Sequence, residues 1–527
     1  MAMRSLDSGA VENEDDQQQT KAAFQFRAVV LDRLRYHRLM CSESRESQGL
    51  YTNYSIKSPT AIGWLFIFLL ILLSANTVSA QSNLSAYVEI SISSPGQIRV
   101  EAQLSRPINS WSFRNAYAGV LGIAERIQDF RAVDADVQKA AVGEYRSERK
   151  SSKISYTVKV PEPTLADVSH FTWLTKDRGI LMLADLIPLE IHSLSAQIAV
   201  PPVWWLYTAL PHNVDEVYEV SEPEKAVFCV GRDVRWSSTT VEGMPVDVML
   251  TGKWSFKERD AMESATSVMR RYLALTGFRL PQRSAVVIAP LPIKDRKTGW
   301  KAETRGSTVV LLINPDAEVR RWKPQLTVIF AHEILHLWVP NSLKLEGDYD
   351  WFFEGFTLYT ALRTSLELGV IDFKEYLATL GRVYDTYRAH PDTLSLIDES
   401  ERRWASDGSQ VYVKGMLVAF LYDLLMRKES GGQRTLEDSY RTLFSDQSTG
   451  QLTDGTDGNE AIISLLGSTD VFRYFIKAYV ENSTAVDLNK VLPAYGLSVL
   501  FTSKGSQLRV GDLNEDQKQL LRSLGYR

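Results

Sequence analysis

The chain has 527 residues, 44% hydrophobic and 23% charged, the balance of an ordinary globular protein. That length exceeds what one hydrophobic core organises, so two or three domains are expected. A net charge of -5, with Lys and Arg spread along the chain, argues against nucleic-acid binding, and two cysteines leave no thiolate-rich metal site.

In chain order, residues 1–60 are polar and mixed in charge, and read as a disordered or mis-assigned N-terminal extension. The apolar run from Ala61 to Leu73 falls short of the roughly 20 residues that cross a bilayer. Small residues follow it up to Ala80, so 61–80 reads as a signal peptide cleaved after Ala80 or as an N-terminal anchor. A buried core helix is the remaining reading. Either favoured reading exports the rest of the chain to a periplasmic, extracellular or membrane-anchored location, with attachment through 61–73 in the anchored case.

From residue 82 the pattern alternates. Stretches around Tyr87, from Gln97 to Leu104 and from Lys153 to Val160 predict half-buried strands, and 82–240 is expected to form a β-rich domain. The texture changes near 241. Helical spacing over Ser255–Thr276 is followed by strands at Ser284–Pro290 and Ser307–Asn314, then by a helix over Gln325–Val339 opened by Pro324. Asp350 is the expected N-cap of a further helix ending near Gly369. Helices predominate through 446–527, around Glu460–Val480 and Asn514–Ser523. The fold class is therefore α+β and multidomain, with a β-rich first part, a mixed part over 241–445 and a helical C-terminal region.

The chemistry concentrates in that middle part, at His332-Glu333-Ile334-Leu335-His336. Helical residues four apart lie about 40° apart around the axis, so both imidazoles leave one face and can hold one Zn²⁺. Glu333 is turned aside, out of reach of a ligand position but suited to take a proton from water that the metal activates. A third ligand is required, and Glu354 is the candidate. It is a lone carboxylate between Phe352, Phe353 and Phe356, an environment in which a charge needs a cationic partner. Tyr412 opens an apolar stretch. It reads either as an interfacial aromatic or as a phenol able to donate to an oxyanion. His170, His192, His212 and His390 have no partners at ligand spacing and read as core or surface residues.

His-Glu-x-x-His, Trp-x-x-Glu-Gly-Phe-Thr (351–357) and Tyr-x-Lys-Gly (412–415) together resemble the gluzincin peptidases, which include alanyl aminopeptidase and leukotriene hydrolase. Glu-Gly-Phe-Thr (354–357), the stretch 424–438 and 475–480 with Tyr495-Gly-Leu are similar to the glycyl aminopeptidase branch. The resemblance spans roughly 245–500. It implies a thermolysin-like catalytic domain with His332, His336 and Glu354 on zinc, Glu333 as general base and Tyr412 as oxyanion donor. It also implies that Glu303, in the stretch 301–308, binds the free amino end of a peptide substrate. Three departures stand out. Trp300 and Lys301 replace the usual glycines, Val339-Pro-Asn-Ser-Leu replaces a basic stretch, and the chain ends before the PDZ-like domain of many relatives. The expected activity is that of a zinc aminopeptidase acting on peptides. The alternatives are an endopeptidase or other hydrolase at the same centre, or a non-catalytic exported binding protein with a retained zinc.

Overall fold

The computed structural model describes residues 83–527 apart from 95, 165–167, 294–298, 315–321, 391–393 and 405–408. The segments read as an extension (1–60) and as a leader or anchor (61–80) lie outside the described residues. Among the described residues, no helix is long and apolar enough to cross a membrane.

The alternating N-terminal sequence forms a seven-stranded sheet. Its order runs Val217–Val220, Ile191–Ala199, Leu84–Ser94, Gln97–Ser112, Glu144–Lys159, Ile127–Ala132, with Val137–Ala141 added beside Glu144–Lys159. Alternation has its physical cause on view in Gln97–Ser112. Ile98, Val100, Ala102 and Leu104 turn into the core, while Arg99, Glu101 and Gln103 face outward. A second, four-stranded sheet carries Trp205–Tyr207, Val227–Gly231, Arg178–Met182 and Trp173–Leu174.

The five-stranded sheet that follows is ordered Arg235–Val241, Met244–Leu250, Ser284–Pro290, Thr308–Ile313, Trp300–Arg305. Arg235–Val241, all but its last residue within the stretch 82–240 expected to be the first domain, pairs antiparallel with Met244–Leu250 and so belongs to this sheet. Its central strands are parallel and apolar on both faces, as strands covered on both sides must be. Val286, Ile288, Val309 and Leu311 pack toward the helices. Val287, Val310 and Leu312 pack against Ile180, Met182, Val227 and Cys229 of the four-stranded sheet. Cys229 is buried there as a free thiol whose pKa burial pushes up. The β-rich part thus packs, through its four-stranded sheet, on one face of the five-stranded sheet. The edge strand Trp300–Arg305 runs antiparallel to its neighbour and lies on the side where the site forms.

The helix Ser409–Glu429 runs through the C-terminal half with apolar residues on nearly every side, which suits a fully enclosed helix. Its one buried carboxylate, Asp423, accepts from Tyr359 Oη at 2.6 Å, Arg427 Nε at 3.0 Å and Leu436 N at 2.9 Å. Burial pushes its pKa up, but Arg427, Arg363 and the Tyr359 hydroxyl outweigh burial and hold it below the usual carboxylate value. The stabilisation is complete above the unfolded pKa near 3.9 and is lost as pH falls through the lower folded pKa. Asp423→Asn is expected to lose roughly 1.5–3 kcal/mol at neutral pH. Urea unfolding should show that gap narrowing below about pH 4, where the wild-type carboxylate also becomes neutral. The C-terminal region adds a hairpin, Leu497–Thr502 with Gly505–Val510, to its helices.

Candidate metal centre and cleft

The helix expected over Gln325–Val339 begins at Trp322 and ends as an α-helix at Glu333. Pro324 sits in the first turn, where its missing N–H would have had no intrahelical acceptor. Beyond Glu333 the backbone tightens into a 3₁₀ turn at Leu335–Leu337, with Leu337 N donating to Ile334 O and Trp338 N to Leu335 O. The two histidines still converge, their Nε2 atoms 3.3 Å apart. His336 Nδ1 lies 2.9 Å from Val339 O. With Nδ1 donating its hydrogen there, Nε2 keeps a lone pair for a metal.

Glu354 completes the group. Its Oε2 lies 3.7 Å from His332 Nε2 and 3.6 Å from His336 Nε2. One donor atom from each residue falls within 4.8 Å of the others, and all three residues are buried. Two imidazole nitrogens and one carboxylate oxygen make the donor set of a hydrolytic zinc site with a fourth position left for substrate or water. The residues present fit the ion.

The position of Glu354 follows from how its helix is built. Trp351–Phe356 winds as a π-turn that continues into the α-helix Thr357–Glu367. Phe352 and Phe356 are fully buried, and the turn lies directly against the helix Ser409–Glu429. Two glycines allow this approach. A Cβ on Gly355 would stand 2.5 Å from Val411 O and 2.6 Å from Gly415 Cα, and one on Gly415 3.0 Å from Trp351 O. Asp350 stands at the helix start as expected, but it makes no side-chain cap. Its carboxylate instead accepts from Arg403, and the first N–H groups of the turn find other acceptors, Trp351 N donating to Ser400 Oγ at 2.9 Å and Phe352 N to Tyr349 O at 3.0 Å.

Glu333 is fully buried beside the histidines. Thr304 of the edge strand donates to the Glu333 carbonyl at 2.9 Å and lies 3.2 Å from its Oε2. Tyr412 is 1% exposed and lines the same cleft as the edge strand. Its hydroxyl accepts from Arg403, whose same Nη2 donates to Glu354 Oε1 at 2.9 Å. Burial alone would lower the Arg403 pKa, but Tyr412, Asp350 and Glu354 reverse that and keep it protonated. A cleft of about 390 Å³ is lined by His336, Glu354, Tyr412, Thr304 and Glu303 together with Tyr117 and His170 from the β-rich part.

Glu303 lies on the edge strand and lines the cleft, where residues of the β-rich part reach it. His170 Nδ1 is 2.7 Å from its Oε2, Tyr117 Oη donates to its Oε1 at 3.1 Å, and Arg305 Nε is 3.5 Å from Oε1. Tyr117 is pushed up to about 12, mainly by burial and then by the Glu303 charge. His170, read from the sequence as a core or surface residue, therefore lines the cleft. Trp300, 4% exposed, joins the core cluster and also lines the cleft, as does the partly accessible Lys301. Sequence reasoning missed Arg403, His170 and Tyr117. Tyr117 and His170 reach Glu303, and Arg403 reaches Glu354 and Asp350, across long separations in the chain that no local spacing signals.

No protein-family model matches the chain, and no curated protein matches it in sequence. Solved structures do match. An aminopeptidase N family protein from Idiomarina loihiensis is similar at a TM-score of 0.68 and 16% identity, over 80% of this chain and 79% of that one. An M1 zinc metallopeptidase from Deinococcus radiodurans, in a variant bound to a Tyr-Ser-Ala substrate, is similar at a TM-score of 0.52 and 11% identity, over 77% of this chain and 96% of that one. At these identities the likeness speaks for architecture. The chain has the mixed α+β fold of these proteins, a β-rich N-terminal part followed by an α/β part and a helical C-terminal part.

Proposed function

We propose that this protein is a zinc-dependent metallopeptidase that removes N-terminal residues from peptides. The observation that carries the proposal is the convergence of His332, His336 and Glu354, with one ligand atom each inside 4.8 Å, beside an open cleft. Similarity of fold to an aminopeptidase N family protein and to an M1 zinc metallopeptidase supports the same reading. Within that class, the stretches 354–357 and 424–438 favour a place near the glycyl aminopeptidase branch. Residues 61–80, as leader or anchor, favour an exported site.

Zinc held by His332, His336 and Glu354 would polarise the scissile carbonyl and lower the pKa of water to about 7. The protein's own groups do the rest. Glu333, held by Thr304, takes the proton of the attacking water and returns it to the leaving amine. Tyr412 donates its hydroxyl proton as a hydrogen bond to the oxygen on which negative charge develops. Glu303 pairs with the substrate ammonium, and the edge strand Trp300–Arg305 offers backbone groups along which a peptide can extend.

A second reading, an endopeptidase at the same centre, draws on the engagement of Glu303 by His170, Tyr117 and Arg305. An ammonium must share that carboxylate with donors already present. Digestion of matched free and N-acetylated peptides, with and without chelator, separates the two by mass spectrometry. The aminopeptidase reading expects stepwise loss of N-terminal residues, abolished by acetylation and by chelator. Internal cleavage of acetylated peptides would replace it with the endopeptidase reading. For free peptides, Glu303→Gln is expected to raise KM about 10-fold or more with a smaller change in kcat, the signature of lost uniform binding.

A further inference from the structure

We infer that Arg403 is a positioning residue that couples the metal-ligating carboxylate to the oxyanion donor, an inference that rests on the zinc-peptidase reading above. One guanidinium serves three buried groups. Nη2 donates to Glu354 Oε1 at 2.9 Å and to the Tyr412 hydroxyl, and Nη1 donates to Asp350. Arg403 itself is 6% exposed, packed with its guanidinium carbon 4.5 Å from the Trp404 ring centre and 5.3 Å from that of Tyr412.

Each bond has a consequence for chemistry. With Oε1 of Glu354 held by Arg403, Oε2 is the oxygen directed at both histidine Nε2 atoms. A guanidinium only donates, so the Tyr412 oxygen must accept from it, and the single Tyr412 hydrogen is turned away from Arg403. A hydroxyl that accepts from a cation is polarised into a better donor. Asp350 balances the remaining charge, so that Arg403 does not withdraw Glu354 from a metal. The two hydrogens of Nη2, fixed in the plane of the guanidinium fork, set the separation between a ligand carboxylate and a phenol contributed by different helices. An ammonium at the same place is a point charge without that fork.

The test uses the full chain, with zinc affinity measured by chelator competition and kcat and KM measured on one peptide reporter. Outer-shell partners of metal ligands typically carry a 10–100-fold effect, so Arg403→Lys is expected to weaken zinc by about that factor. It is also expected to lower kcat at saturating zinc with KM little changed. The kcat loss should shrink in a Tyr412→Phe background, because the two residues then act as one unit. Methylguanidinium added to Arg403→Ala should restore part of kcat. Zinc affinity and kcat within twofold of wild type in Arg403→Lys overturn the inference. So does a change confined to thermal unfolding of the metal-free protein. Wild-type protein that takes up no zinc and cleaves no peptide overturns the underlying reading, and this inference with it.

Discussion

If the chain is the zinc peptidase proposed above, Glu333→Gln is expected to lower kcat on a free-amine peptide by about 10²–10⁴-fold while zinc content stays at about one per chain. The expectation follows from where the carboxylate is and what it does not touch. Glu333 is fully buried beside His332, yet the ligand group consists of His332, His336 and Glu354 without it. A purely structural metal site has no use for a carboxylate there. Thr304 Oγ1 holds it from the edge strand, 3.2 Å from Oε2. Glutamine keeps the shape and can still accept from Thr304, so packing survives, but its amide cannot take up a proton from water. The substitution therefore isolates proton transfer from metal binding. Steady-state kinetics paired with metal analysis read the two separately. Wild-type turnover in a zinc-loaded Glu333→Gln protein would exclude the proposed role, and loss of zinc would show that Glu333 supports the metal instead.

Different parts of this site were legible in the sequence to different depths. His332, Glu333 and His336 sit within one helical turn, so periodicity alone assigned their relative directions. Glu354 was legible for another reason: a carboxylate among Phe352, Phe353 and Phe356 needs a cationic partner, and the structure supplies Arg403 at Oε1 and sets two imidazole nitrogens beside Oε2, where a shared metal ion would complete the compensation. The strands at Ser284–Pro290 and Thr308–Ile313 were readable as continuous apolar runs. Local pattern carries no information about pairing across domains. Tyr117 and His170 reach Glu303 only because the four-stranded sheet packs on the back of the five-stranded one, a contact set by the summed apolar faces of both. Arg403 was hidden for a similar reason, since its three partners lie on two separate helices. The tightening of the backbone after Glu333 was also illegible. The apolar spacing of residues 325–339 is equally compatible with an α-helix throughout, and the i+3 bonds at Leu337 and Trp338 arise from local backbone adjustment.

Gly355→Ala is expected to destabilise the fold by about 1–3 kcal/mol and, in the protein that still folds, to lower kcat by up to about 10²-fold. The added methyl would sit 2.5 Å from Val411 O, 2.6 Å from Gly415 Cα and 2.7 Å from Gly415 C. All three are backbone atoms of one helix, so no side-chain rotation relieves the clash and the helices must part. Glu354 precedes Gly355 directly, while Tyr412 lies one turn before Gly415. Separation of the two backbones therefore pulls the ligand carboxylate away from the oxyanion donor. It also stretches the Arg403 fork, whose Nη2 bonds both residues. This gives a physical reason for glycine at both points, 354–355 and 414–415, independent of backbone freedom: the helices meet where neither can carry a Cβ. Gly415→Ala acts on the same contact from the other side, where the added methyl would stand 3.0 Å from Trp351 O and from Gly355 Cα. Its penalty should be smaller, and the double substitution should cost less than the sum, because once the helices have parted the second methyl enters space already opened. Unfolding in urea and kcat at saturating zinc measure the two effects. Full additivity, or wild-type kcat in Gly355→Ala, would mean that the helix crossing does not set the distance between Glu354 and Tyr412.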